Sequence, residues 1–270
     1  AMNTQAIEVE KLTGKILMAS YHGAWCFAGL VGALMGLLVV NIGLSTFNHF
    51  TLVFMIVGGL WWYCKRHLSN IPTAAGQPKQ SVYKQANPTL IGLGIIGFLS
   101  MAIEGAMIDW SGVYLQTIVK APEHHIMLGY VSFVFMMTLG RFTGNYVLEK
   151  YGKRSILRLS GLLMSGGLFL SIIFPELWIC IIAFMIIGLG SSLSVPSVYS
   201  TVGTLNLTSP GIALSFVSSI AFLGFLAGPP LIGFIAEALD LRYSYGLFAC
   251  FGILLTFLTG QMKVFRTVQS

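Results

Sequence analysis

Glu104 stands well inside a largely apolar stretch, Thr89–Gln116, and a carboxyl group in that position has to be explained first. It lies 15 residues beyond Thr89, or ~22 Å into a helix rising ~1.5 Å per residue. That is past the midplane of a hydrocarbon core ~30 Å thick. An ionisable side chain at such depth costs from ~2.5 kcal/mol upward, so it faces a bundle interior and has either a task or a partner. Two tasks suit a carboxylic acid there: cycling a proton, or hydrogen-bonding a polar solute. The competing account is an ion pair or a hydrogen bond to a neighbouring helix. Asp109 follows five residues later, ~140° round the helix, so the two acids share no face. Asp109 reads instead as an interface residue, beside Trp110 in the aromatic belt.

A few other polar groups accompany Glu104. His22 lies about two turns into Leu17–Val40, where an imidazole can change charge near neutral pH or act as a hydrogen-bonded packing residue. Trp25 follows one turn later, and its indole face suits stacking on a sugar as well as plain packing. Ser191, Ser194 and Ser197 share one face of Leu177–Tyr199, beside Ser192 and Pro196. Their hydroxyls can line a polar path or bond back to the helix's own carbonyls. Enzyme motifs are absent: there is no Gly-x-x-x-x-Gly-Lys-[Ser/Thr] phosphate loop, no His-Glu-x-x-His and no Gly-x-Ser-x-Gly. Cys26, Cys64, Cys180 and Cys250 fall in four different stretches without a Cys-x-x-Cys pair, which argues against a metal or disulfide set. No enzymatic activity, cofactor or metal is expected.

These groups must be positioned by membrane helices. Eight apolar stretches fill most of the 270 residues: Leu17–Val40, Phe47–Cys64, Thr89–Gln116, Ile126–Leu148, Ile156–Phe174, Leu177–Tyr199, Gly211–Ala236 and Tyr243–Met262. Each approaches the ~20 residues a spanning helix needs, with Phe47–Cys64 at the short end. In lipid every backbone amide must be satisfied within its segment, so such runs become helices. Charged residues are only 9% of the chain, far below the ~25% of soluble domains. The fold class is therefore all-α, a polytopic membrane helical bundle with eight transmembrane helices and the lipid bilayer as its solvent. Thirteen Lys and Arg residues, Arg141 among them, fall on the side that holds both termini, and only Lys120 and Arg242 fall on the other. The positive-inside rule makes both ends cytoplasmic. The basic residues form no patch, so no nucleic acid is expected as a partner.

One connection differs from the rest. Lys65–Asn87 carries Lys65, Arg66, Lys79 and Lys84 without an acid, together with Pro72, Gly76 and Pro78. This composition suits a cytoplasmic linker. It divides the chain into residues 1–64 with two spans, a linker over 65–87, and residues 88–270 with six spans, the shape of a transporter half-bundle. Small-x-x-x-small faces recur in Gly29-x-x-x-Ala33 and in Gly224-x-x-x-Gly228, the latter followed by Pro229, Pro230 and Gly233. Such faces let helix backbones approach closely.

After the fourth stretch comes the most specific motif, Gly140-Arg141-Phe142-Thr143-Gly144-Asn145-Tyr146-Val147-Leu148-Glu149-Lys150-Tyr151-Gly152-Lys153-Arg154. It resembles the signature of the major facilitator superfamily, Gly-x-x-x-Asp-[Arg/Lys]-x-Gly-[Arg/Lys]-[Arg/Lys], in its copy between helices 8 and 9. Glu149, Lys150, Gly152, Lys153 and Arg154 carry the match. Asn145 occupies the first Gly position, with Gly144 one residue early, and Glu149 replaces the Asp. Residues 1–10, Tyr21-His22-Gly23, Glu104–Ser111 and Gly224–Gly233 resemble the fucose-permease-like branch, which includes rhizopine-type permeases.

The resemblance implies a partial major facilitator fold, helices 5 to 12, with helices 1 to 3 and most of 4 missing. It also implies a gating role for the loop from Arg141 through Arg154, and a central cavity lined by Glu104 and the serine face. The expected activity is that of a symporter or permease in the bacterial inner membrane, moving a sugar-like or metabolite solute with protons by alternating access. A drug or metabolite efflux antiporter and a truncated, non-transporting fragment are the alternatives. The topology is open to direct test. A cysteine introduced at Gln77 is expected to react with an impermeant thiol reagent from the cytoplasmic face only, and labelling from the opposite face would overturn the assignment of every loop.

Overall fold

The computed structural model describes residues 2–67, 87–205, 207 and 210–265. Among these residues the secondary structure is helical, without a strand. Most of the basic linker, including Gln77, lies outside the described residues. The chain runs through α1 (Met2–Thr13), α2 (Met18–Asn41), α3 (Thr46–Cys64), α4 (Pro88–Thr117), α5 (Glu123–Ile173), α6 (Leu177–Ser192), α7 (Ser194–Thr204), α8 (Pro210–Ala238) and α9 (Leu241–Gln261). By length and apolarity, six helices can cross a membrane among the described residues, with α6 and α7 counted together as Leu177–Thr204. The 24-residue α2 occupies the first predicted stretch.

Helix boundaries follow local chemistry. Asn87 accepts the Leu90 amide and places Pro88 in the first turn of α4, where its missing amide is one of the unpaired donors in any case. Asp240 caps α9 through the Arg242 amide. At 51 residues α5 would be ~77 Å long if straight, more than twice the hydrocarbon thickness. It is broken at Gly152, whose φ of 74° and ψ of 151° are open to glycine but strained for other residues. Two spans result, one on each side of the signature motif. The sixth predicted stretch was expected as one helix ending at Tyr199. It is interrupted at Leu193 and continues to Thr204.

The chain divides into two compact units, one of residues 1–26 with 82–270 and the other of residues 27–81. The division expected from the chain's order, 1–64, 65–87 and 88–270, follows topology rather than compactness. In the first unit α5 packs on α6 and α9, and α4 packs on α8. At one end Tyr114 of α4 stacks on Tyr245 of α9 with ring centroids 4.3 Å apart, and Phe184 of α6 meets both rings edge-on. In the second unit Ser45 caps α3, and the Lys65 ammonium lies 3.2 Å from the centroid of the Trp62 ring.

Close contact between α4 and α8 depends on Gly224 and Gly228. A Cβ on Gly224 would overlap the Phe98 carbonyl, and one on Gly228 would lie 2.7 Å from the Ala102 carbonyl. Gly233 sits against the Trp110 ring, and the Trp110 indole donates to the Pro229 carbonyl at 3.0 Å. Pro229 and Pro230 lie within α8 and so remove two amide donors from it. Overpacking costs ~1–3 kcal/mol, so Gly224→Ala is expected to lower the thermal midpoint of the detergent-purified protein. Gly166→Ala points into open space and should leave it unchanged or raise it slightly. Equal effects of the two would disprove the close α4–α8 contact.

Candidate functional site

Glu104 is 4% exposed and Arg141, on α5, is 1% exposed. The Arg141 Nη2 donates to both Glu104 oxygens, at 3.2 Å to Oε1 and 3.1 Å to Oε2. The ion pair expected as the competing account of Glu104 is thus present. Arg141 was grouped with the gating loop and counted as a cytoplasmic charge, and its position corrects that grouping. It lies 11 residues before Gly152, ~16 Å along the helix, with its guanidinium between helices. A signal for this was available, since Arg141 falls inside the apolar stretch Ile126–Leu148. The Ser191 hydroxyl donates to Glu104 Oε2 at 3.2 Å, and the Arg141 Nε donates to the Ser192 carbonyl at 3.3 Å. Arg141 Nη1 contacts the Cys26 thiol of α2.

Beside this pair is a cavity of about 220 Å³. His22, Trp25, Tyr199 and Asn3 line it with Glu104 and Arg141, and Met101, Val195, Phe222 and Phe225 supply apolar wall. Three of the polar lining atoms have no hydrogen-bond partner among the described residues: Asn3 Oδ1, His22 Nε2 and Tyr199 OH. Buried polar atoms are ordinarily paired, so unpaired ones around one cavity are suited to receive a polar guest. The His22 and Tyr199 rings lie 6.0 Å apart.

Members of the serine face have different surroundings. Ser191 reaches Glu104, Ser194 bonds back to the Gly190 carbonyl, and the Ser197 hydroxyl is buried without a partner among the described residues. Trp25, 59% exposed, presents its indole at the rim of the cavity. Asn3 and Tyr199 were not singled out in the sequence. Their positions depend on α1 packing beside α7, which no local pattern announces.

The loop residues lie apart from the cavity. Lys153 Nζ donates to Ser200 Oγ at 2.9 Å, and the Ser200 hydroxyl donates to Glu10 Oε2 at 2.8 Å. Glu10 Oε1 accepts the Leu17 and Met18 amides at the start of α2, a favourable site for a carboxylate. Arg154 donates to the Gly260 carbonyl near the end of α9 at 2.8 Å. Glu149 and Lys150 are exposed, and Lys150 lies within 6 Å of the Tyr146 and Tyr151 ring centroids.

Removing one member of a buried ion pair strands the other, at ~3–5 kcal/mol, whereas replacing both by apolar groups is close to neutral. Glu104→Leu and Arg141→Met are each expected to lower the thermal midpoint strongly. The double variant should regain most of the loss. Additive losses in the double variant would show that the two groups do not interact.

The chain matches the Major Facilitator Superfamily model over residues 93–266. It is 31% identical to an uncharacterised MFS-type transporter of Yersinia pestis, over 92% of this chain and 64% of that one. It is 32% identical to the membrane protein MosC of Rhizobium meliloti, over 89% of this chain and 58% of that one. The chain thus spans about six-tenths of the length of these two relatives. The crystal structure of the Escherichia coli fucose:proton symporter FucP superposes with a TM-score of 0.57 at 15% identity, covering 64% of this chain and 42% of that one. With the family model matching well over half of its length, the chain belongs to the Major Facilitator Superfamily, a family of multi-pass membrane proteins.

Proposed function

We propose that this chain belongs to a secondary transporter that carries a small, polar, sugar-like or metabolite solute by alternating access, with protons as the coupling ion. The observation that carries the proposal is the set of polar atoms without a partner among the described residues, Asn3 Oδ1, His22 Nε2 and Tyr199 OH, in one cavity with the Glu104–Arg141 pair. A neutral hydroxylated solute fits that chemistry, because it both donates and accepts hydrogen bonds. Trp25 and Phe225 offer faces for its apolar side. Glu104 is the coupling candidate, since a carboxyl group at membrane depth is the kind of group that relays protons in transporters. Ser191 holds one of its oxygens, and Ser194 and Ser197 continue along the same helical path.

Around Gly152, the loop residues Glu149, Lys150, Lys153 and Arg154 are proposed to control exchange between access states. Their support is the hydrogen bonding of Lys153 and Arg154 to groups on other helices, contacts that relative movement of those helices would break and remake. Twelve of the fifteen Lys and Arg residues remain on the side of the two ends once Arg141 is set aside as buried. That asymmetry favours cytoplasmic ends, and the bacterial relatives favour the inner membrane as the location. A partner half, supplied by helices preceding this segment in the full-length protein, would complete the cavity.

Proteoliposomes carrying the full-length gene product, challenged with a panel of labelled sugars and polyols while external pH is recorded, test the reading. A transported solute should enter with proton uptake. Glu104→Gln removes the titratable group but keeps the side chain's size and one acceptor oxygen, so it should abolish accumulation against a gradient while sparing solute exchange. Undiminished accumulation with proton uptake in the Gln variant would remove Glu104 from the coupling step.

A further inference from the structure

The helical path from Leu177 to Thr204 is interrupted at Leu193, and Pro196 accounts for the interruption. In an unbroken helix the Ser192 carbonyl would accept the amide proton four residues on. Residue 196 has none, because it is proline. An unpaired carbonyl in a residue with 0% exposure is costly where no water can reach it. Arg141 supplies the missing donor from another helix, through Nε at 3.3 Å. The same guanidinium holds both Glu104 oxygens through Nη2. Two small residues one turn apart on α5 let the interruption come this close. A Cβ on Gly140 would overlap the Ser192 side chain, and one on Gly144 would overlap that of Leu193.

A guanidinium is planar and rigid, with its donors in a fixed fork. The carboxylate at Nη2 and the freed carbonyl at Nε are therefore held in a set relation, and neither can move far without turning the guanidinium plane. We infer that Arg141 is a positioning residue that couples the state of Glu104 to a proline hinge between α6 and α7. Releasing Glu104 from the guanidinium lets Arg141 reorient, and the hinge carbonyl follows it. The bend of the helix bearing Ser191, Ser194, Ser197 and Tyr199 then changes. This deepens the transport reading, on which its functional consequence rests, because the change starts at the wall of the cavity and ends in the helix that carries Tyr199.

The hinge is measurable without any solute. Spin labels at cysteines replacing Ile182 and Thr204, both exposed, report the distance across the interruption in detergent or nanodiscs. Exposed Cys64 and Cys250 are replaced by serine, and the full-length protein is used. Glu104→Gln is expected to shift the distance distribution by about 2 Å, the upper end of helix shifts in switching proteins. Arg141→Lys should produce the same shift, since one ammonium cannot serve both acceptors in fork geometry. Pro196→Ala restores an amide proton to the Ser192 carbonyl, and in that background neither substitution should move the distance. A shift that persists undiminished in the Pro196→Ala background overturns the inference, as does an unchanged distance in both Glu104→Gln and Arg141→Lys. A cavity that binds no solute would leave all of these distances as they are, so failure of the transport reading is distinguishable.

Discussion

A buried carboxylate and a buried guanidinium meet between α4 and α5, and the surrounding structure is arranged around their mutual need. Neither charge is tolerable alone at that depth, where each must be compensated by the other and by further hydrogen bonds. Glu104 receives Arg141 at both oxygens and Ser191 at one, while Arg141 also serves the Ser192 carbonyl. These contacts join α4, α5 and the end of α6 through polar groups. Sliding one of these helices by a turn would leave the carboxylate, the guanidinium and the Ser192 carbonyl without these partners. The polar set permits one register.

That register requires backbones to come unusually near one another. Without a hydrophobic driving force between helices in lipid, close approach and the packing it allows are the main source of association. Gly224 and Gly228 bring α8 onto α4 at the Phe98 and Ala102 carbonyls, which fixes the helix carrying Glu104 from its far side. Gly161 and Gly252 do the same between α5 and α9, where a Cβ on either would lie under 3 Å from the other's carbonyl. Gly140 does so beside Arg141 itself. Small residues thus set the distances, and charges set the register.

A second polar set sits beyond the cavity, around Gly152. Glu10 caps the start of α2 and reaches Ser200 of α7, which in turn receives Lys153. Tyr199, adjacent to Ser200 in sequence, faces the cavity. Neighbouring residues of α7 therefore take part in the cavity and in the loop network. A movement of α7 cannot be confined to one of them, which is the physical link between the two regions that the transport proposal uses.

The sequence by itself determined the membrane class, the helical content and the family. Each rests on properties that survive any arrangement of the helices: apolar length against bilayer thickness, the backbone's need for internal hydrogen bonds in lipid, and the signature running from Glu149 to Arg154. That Glu104 turns toward other helices was legible for a related reason, because an acid inside a lipid-spanning stretch is costly unless it faces the interior. Only the tertiary structure decided its partner. Arg141 is 37 residues away in sequence, and a loop motif had claimed it although it lies within an apolar stretch. The break at Leu193 likewise needed more than Pro196, since a proline in a membrane helix can be accommodated with or without a change of direction. The three atoms of Asn3, His22 and Tyr199 that have no partner among the described residues come from α1, α2 and α7. Their convergence is a property of helix packing, and no spacing along the chain encodes it.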